Sequence, residues 1–206
     1  MLKAEEILSL GMEKLELKDD DKIIHKLLIY RDILKKWNKK INLTALRHDE
    51  DIIKNHLLDS LSVTKLIDQK KILDVGSGAG FPGIVLAICD KTRHVTLVDK
   101  VRKKTVFMNQ VCLELNLNNV SVIHSRVEDI ETINKYDAII ARAFGEMSLL
   151  MKLTKNLLVY DGIWYGMKSK KVLEENIVKN KNFLKIYDIK VPFLGADRYF
   201  IKIKNT

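Results

Sequence analysis

Residues 72–83 read Ile-Leu-Asp-Val-Gly-Ser-Gly-Ala-Gly-Phe-Pro-Gly, and a second acid, Asp99, stands 25 residues beyond Asp74. A short apolar strand, a glycine loop and a helix opened by Pro82 are followed by a second strand, His94 to Val98, that ends at Asp99. This is the pattern of a nucleoside-binding crevice in a doubly wound sheet. Glycines let the backbone approach a ligand closely, and an acid at the tip of the second strand can hydrogen-bond ribose hydroxyls.

Two glycine registers overlap here. Gly76-Gly78-Gly80 begins directly after the strand and two residues after Asp74, matching the D-x-G-x-G-x-G loop of S-adenosylmethionine (AdoMet) methyltransferases. Gly78-Gly80-Gly83 also satisfies the dinucleotide fingerprint G-x-G-x-x-G, with Asp99 about 20 residues on. The first register is favoured. A dinucleotide loop puts its first glycine against the strand, and Asp74 would repel a pyrophosphate. Beside a ligand with an ammonium and a sulfonium an acid is welcome, so Asp74 is expected to contribute to the cofactor pocket.

The first seventy residues read as helices. Ile23, Leu27, Tyr30, Leu34, Trp37 and Ile41 recur at alternating four- and three-residue spacing, which gives one apolar stripe. A second helix is expected over 49–67, with a tight connection at 41–44. From Lys71 onward strands and helices alternate. Strands are expected at 71–75, 94–98, 119–124, 136–141 and 161–167, with two more near 184–191 and 197–204. The helices between them are 81–89, 102–116, 146–158 and 170–180. This alternation implies right-handed crossovers and a largely parallel sheet. The expected fold class is α/β: a doubly wound, mostly parallel, seven-stranded Rossmann-like sheet behind an N-terminal helical cap. The cap takes residues 1–68 and the nucleoside-binding domain 69–206, with the cap packed on the sheet.

The net charge is +9, and its distribution is uneven: 14 Lys/Arg stand against 13 Asp/Glu in residues 1–70, and 22 against 14 in 71–206. A basic excess on the nucleoside-binding part suits a polyanionic second substrate, although 29 of the 36 basic residues are lysine, which also fits a general lysine bias. Arginine is scarce, so Arg126 and Arg142, beside expected strand ends, stand out. No apolar run reaches the length of a membrane span, and Met1 to Leu10, carrying Glu5 and Glu6, reads as no leader. Cys89 and Cys112 lack metal-ligand spacing and read as small hydrophobes of a reducing compartment. A cytoplasmic monomer without a metal site is expected.

The carboxyl ends of the strands should line the ligand crevice. They bring Gly76 to Phe81, then Asp99 and Lys100, then Arg126, Val127 and Glu128, and then Arg142. A backbone N–H near Glu128 would hold an adenine; alternatively, Glu128 and Asp129 merely begin a helix. The fourth strand ends in Arg142-Ala143-Phe144-Gly145, in place of the Asn/Asp-Pro-Pro-aromatic turn used to methylate exocyclic amines. Neither cysteine is placed to attack a pyrimidine carbon. What remains is transfer to an atom that already carries a lone pair, and guanine N7 is such an atom. Catalysis would rest on alignment, with Arg142 and Lys168 as candidate catalytic residues. Lys100, Arg126 and Lys168 are candidate RNA contacts, to O6 or flanking phosphates.

Trp37-Asn38-Lys39-Lys40-Ile41-Asn42-Leu43-Thr44, His56-Leu57-Leu58-Asp59-Ser60-Leu61, the Asp74–Gly83 loop, Ser125-Arg126-Val127-Glu128 and Ala141-Arg142-Ala143-Phe144 occur in order over residues 30–170. Together they resemble the bacterial 16S ribosomal RNA guanine-N7 methyltransferases, the glucose-inhibited division protein B family. The resemblance implies AdoMet as donor, a guanine in a loop of 16S rRNA on the small ribosomal subunit as acceptor, and cofactor contacts at Gly76, Phe81, Val127, Glu128 and Arg142. A loop substrate is physically apt, because the deep, narrow major groove of A-form RNA hides N7. His56, Asp59 and Ser60 lie one helical turn apart and are expected to form a local hydrogen-bonded cluster. Two rival readings stand beside this one: an NAD-type oxidoreductase using the second glycine register, and a non-enzymatic RNA-binding or ribosome-assembly module.

Overall fold

A computed structural model describes residues 3–18, 20–169 and 184–205. The helix expected over 170–180 lies outside the described residues. The strands are β1 (Lys71–Val75), β2 (His94–Asp99), β3 (Val120–His124), β4 (Tyr136–Arg142), β5 (Leu158–Lys168), β6 (Leu184–Ile189) and β7 (Arg198–Lys204). They form one seven-stranded sheet in the order β3-β2-β1-β4-β5-β7-β6. β1 to β5 pair in parallel, and β7 runs antiparallel between β5 and β6. This is the mostly parallel doubly wound sheet that the alternation of elements implies. Its antiparallel β7 departs from the 3-2-1-4-5-6 order of dinucleotide-binding sheets.

Chain order runs outward from β1 through β2 to β3, then returns to β4 on the other side of β1. The switch point therefore lies between β1 and β4, and a crevice opens beyond their carboxyl ends. Helices α5 (Gly83–Cys89), α6 (Arg102–Glu114) and α7 (Met147–Thr154) make the crossovers.

The N-terminal helices are α1 (Ala4–Lys14) and α2 (Asp21–Asn38). Asp20 caps α2, its carboxylate accepting from the Lys22 and Ile23 N–H groups, a contribution of about 1 kcal/mol. Leu27, Tyr30 and Leu34 of the apolar stripe are fully buried, while Ile23, Trp37 and Ile41 are half-buried against the same cluster. That cluster continues through Leu57, Leu58 and Leu61 into Ile84 and Ile88 of α5 and Ile72 and Leu97 of the sheet. Each leucine so buried stabilises the fold by roughly 1.5–3 kcal/mol, so cap and sheet share one core.

Two elements depart from expectation. The helix foreseen over 146–158 ends at Thr154, and a 3-10 turn, Lys155–Leu157, leads into β5 from Leu158. Thr154 Oγ1 bonds back to the Leu150 carbonyl and accepts from the Trp164 indole at 2.9 Å, while Leu158 pairs with Tyr136. Sheet pairing there overrides helix propensity. The helix foreseen over 49–67 is α3 (Asp49–Ile52), a π-helical turn (Ile53–Leu58) and α4 (Asp59–Leu61), followed by a 3-10 turn, Thr64–Leu66. Arg93 takes the carbonyls of Thr64 and Ile67 and holds the chain out of the helix.

Candidate active site with two cavities sharing one wall

The glycine loop is shaped by its first register. Gly76 follows β1 directly, and Gly76, Gly78 and Gly80 all have φ between +63° and +89°, a region costly for side chains. At Gly80 a Cβ would also lie 2.3 Å from Ile84 Cδ1 and 2.9 Å from the Tyr30 hydroxyl. Gly83 plays another part: its bare Cα lets α5 close onto Leu97 and Asp74. Tyr30, reaching over from the cap, donates to the Ala79 carbonyl. The cap thus pins the tip of the loop.

A cavity of about 350 Å³ lies against the tips of β1 to β4, within the size range of ligand sites. Gly76, Asp99, Lys100, Arg126, Val127, Glu128 and Arg142 are in its wall. Asp99 is 5% exposed; one oxygen accepts from Gly78 N–H at 3.0 Å and the other from Val101 N–H at 2.8 Å. A carboxylate has about four acceptor positions, so two lone pairs remain for a diol. Lys104 Nζ at 3.6 Å adds positive charge to its surroundings. Val127–Asp129 is a single 3-10 turn rather than the start of a longer helix. A hydrophobic residue, a bare glycine and a carboxylate at strand tips fit the nucleoside end of AdoMet.

Other residues expected in that wall stand behind it. Asp74, expected to contribute to the pocket, is fully buried and outside the cavity wall, and its Oδ2 accepts from Gly83 N–H at 2.8 Å. That bond braces the loop, and burial pushes the carboxyl up to about 7. Gly78 and Gly80 shape the loop without lining the cavity. Phe81 is also set back, stacked between the rings of Tyr30 (4.9 Å) and His56 (4.7 Å), with the Arg142 guanidinium 5.2 Å from its centroid.

A second cavity, about 630 Å³, opens on the other side of the residues that follow β4. Asn55, His56, Asp59, Gly145, Glu146, Lys168 and Arg198 line it, and it shares Arg142, Ala143 and Phe144 with the first. Ala143 adopts φ +54°, an uncommon state for a residue with a side chain, and it turns the chain between the two spaces. Lys168 is buried, and its ammonium donates to the carbonyls of Phe144 (2.6 Å) and Gly145. The structure thus places it as a clamp on this turn.

Arg142 is held by three groups of the cap. Nη1 donates to the Asn55 carbonyl (3.0 Å) and to Asp59 Oδ2 (3.1 Å), and Nη2 donates to His56 Nδ1 (3.0 Å). The π turn makes the first contact possible. In an α-helix Asp59 N–H would bond Asn55 O; here it bonds His56 O, and the Asn55 carbonyl turns to the guanidinium. Single π turns are frequent at functional sites. Asp59 also accepts from Arg198 Nε at 3.0 Å through its other oxygen. The expected local cluster is corrected accordingly. Ser60 Oγ does bond the His56 carbonyl, but the His56 ring and the Asp59 carboxylate point across to β4 and β7. Arg198 and the Asn55 carbonyl carry no motif signal in the sequence, and Thr44 stands there only as the end of a motif. The scarcity of arginine is the available signal for Arg198.

The seven-stranded sheet, its switch-point cavity and the carboxylate at the tip of β2 are those of a Rossmann-like methyltransferase fold. Solved structures agree on the fold: the tRNA (m1A58) methyltransferase TrmI from Aquifex aeolicus superimposes with TM-score 0.58 at 13% identity, covering 72% of this chain and 68% of that one. TYW2 of M. jannaschii, solved in complex with AdoMet, gives 0.54 at 19% identity, covering 71% and 75%. The family model described as rRNA small subunit methyltransferase G matches residues 23–200, and the chain belongs to that family. Its relatives include the ribosomal RNA small subunit methyltransferase G of Methylobacillus flagellatus, 44% identical over 94% of this chain and 95% of the relative. That of Hydrogenovibrio crunogenus is 41% identical over 96% and 93%.

Proposed function

We propose that this enzyme transfers a methyl group from AdoMet to N7 of a guanine in a loop of 16S ribosomal RNA. The observation that carries this reading, beside the family, is that the two cavities share the wall Arg142-Ala143-Phe144. A donor in one and a base in the other would meet across that turn. When bound, AdoMet supplies an electrophilic methyl group on a sulfonium.

The chain's own residues hold and orient. Asp99 grips the ribose diol, Gly76 lets the ligand lie on the strand tip, and Val127 and Glu128 flank the adenine. Guanine N7 carries its own lone pair, so no side chain need act as a base. His56 fits this: burial and the adjacent guanidinium lower it to about 3, and a ring that resists protonation and already has two partners is a poor proton carrier. Arg142 and Arg198 give the acceptor cavity the positive charge that suits O6 or a flanking phosphate, and Lys100 and Arg126 extend it along the rim of the donor side. Rate enhancement then comes from alignment. An NAD-type reading is not favoured, given the family and the antiparallel β7.

The test is transfer of labelled methyl groups from AdoMet to undermethylated small subunits, with the modified nucleotide mapped. Label at N7 of one guanine supports the assignment. Label on an adenine or cytosine overturns the acceptor, and no label overturns the activity.

A further inference from the structure

The His56 imidazole has two acceptors competing for one ring proton. Thr44 Oγ1 lies 2.8 Å from Nε2, and the Asn55 carbonyl lies 3.1 Å from Nδ1. A third group decides between them. Arg142 Nη2 stands 3.0 Å from the same Nδ1, and a guanidinium can only donate. Nδ1 must therefore present a lone pair, the proton resides on Nε2, and Thr44 Oγ1 receives it.

Thr44 is itself fixed in place. Asn38, buried at the end of α2, accepts the Leu43 and Thr44 N–H groups on Oδ1 at 2.7 and 3.0 Å. Its amide donates to the carbonyls of Thr44 and Leu46 at 2.9 and 3.2 Å. Leu46 N–H donates to Thr44 Oγ1 at 3.2 Å, which orients the oxygen further. Phe81 against the ring face leaves His56 little freedom to turn. A line of hydrogen bonds thus runs from Asn38 through Thr44 and His56 to Arg142.

We propose that Thr44 is a positioning residue for methyl transfer: by accepting the Nε2 proton it selects the His56 tautomer whose Nδ1 holds Arg142 at the wall between the cavities. The proposal rests on the reading of that wall as the place where donor and acceptor meet. Without the hydroxyl, the ring proton has its other acceptor at Asn55 O. On Nδ1 it faces an Arg142 N–H, donor against donor, and competes with Nη1 for the Asn55 carbonyl. Arg142 then keeps Asp59 and drifts from the shared wall.

Two measurements on the full chain test this. Long-range ¹⁵N–¹H spectra report which nitrogen of His56 carries the proton. The Nε2–H form is expected in the unmodified protein and in Thr44→Ser, and the Nδ1–H form in Thr44→Val. In methyl transfer to undermethylated small subunits, Thr44→Val should lower kcat about tenfold, the worth of one anchoring hydrogen bond. KM for AdoMet should move less than twofold, and Thr44→Ser should restore kcat to within about twofold. An Nδ1–H or doubly protonated His56 in the unmodified protein at neutral pH overturns the proposal, whether or not any variant folds. So does a Thr44→Val protein that changes tautomer at unchanged rate, or loses rate with the tautomer unchanged. Failure of the functional reading would look different: no methyl transfer by any form, with the spectra still following Thr44.

Discussion

Asp59→Asn is the perturbation for which the structure gives the clearest arithmetic. The carboxylate accepts from Arg142 on one oxygen at 3.1 Å and from Arg198 on the other at 3.0 Å. Asparagine keeps the shape but replaces one oxygen by an amide that can only donate. One guanidinium then meets a donor, losing a charge-assisted hydrogen bond worth about 1.5–3 kcal/mol. The two guanidiniums also lose the negative charge between them. Breaking a fully buried pair costs about 3–5 kcal/mol. Here the arginine side chains keep 20% and 24% exposure, so water compensates in part and about 2–3 kcal/mol is expected. For a chain of this length each kcal/mol moves Tm by about 2–4 °C, so the melting temperature should fall by about 4–12 °C. A thermal melt followed by circular dichroism measures this. A double-mutant cycle with Arg198→Gln should return a coupling above about 1 kcal/mol. A shift below about 1 °C, or strict additivity, would refute the claim that Asp59 joins β4, β7 and the cap.

Asp99→Asn puts an amide group against either Gly78 N–H or Val101 N–H and weakens the hold on a diol. Calorimetry should show AdoMet binding weakened roughly 10- to 100-fold, one charge-assisted bond's worth. Gly80→Ala combines φ +89° with a Cβ 2.3 Å from Ile84 Cδ1, so denaturant unfolding should show a loss of about 1–3 kcal/mol. Asp74 is raised from 3.8 to about 7 by burial, so between those values the native state binds more protons than the unfolded chain. Its contribution to stability is therefore full below about 4 and is lost as pH rises to about 7. Urea midpoints measured across that window should show this slope, and Asp74→Asn should remove it.

What could be read in the sequence was what local chemistry dictates. Three glycines placed directly after an apolar strand require a backbone that other residues avoid, and Gly76, Gly78 and Gly80 all take it. Asp99 and Arg142 stand at strand ends, where the doubly wound sheet must open its crevice. What could not be read depends on groups far apart in the chain. Arg198 meets Asp59 across 139 residues, and no periodicity announces such a pair. The π turn at Ile53–Leu58, which leaves the Asn55 carbonyl to Arg142, has no mark in the composition. That Asp74 lies under the loop could not be read, because a strand-tip acid and an acid under the loop have the same spacing and only the direction of the side chain separates them. Leu158 left its helical pattern because Tyr136 offered it a strand partner.

Methyl transfer across the turn after β4 requires the donor's sulfur to face that turn. An experimental structure with S-adenosylhomocysteine, the demethylated donor, tests this. The ribose is expected on Asp99, the adenine beside Val127 and Glu128, and the sulfur facing Arg142-Ala143-Phe144 toward the acceptor cavity. A sulfur directed away from that turn, or a ligand seated among Asp59, Lys168 and Arg198, would contradict it.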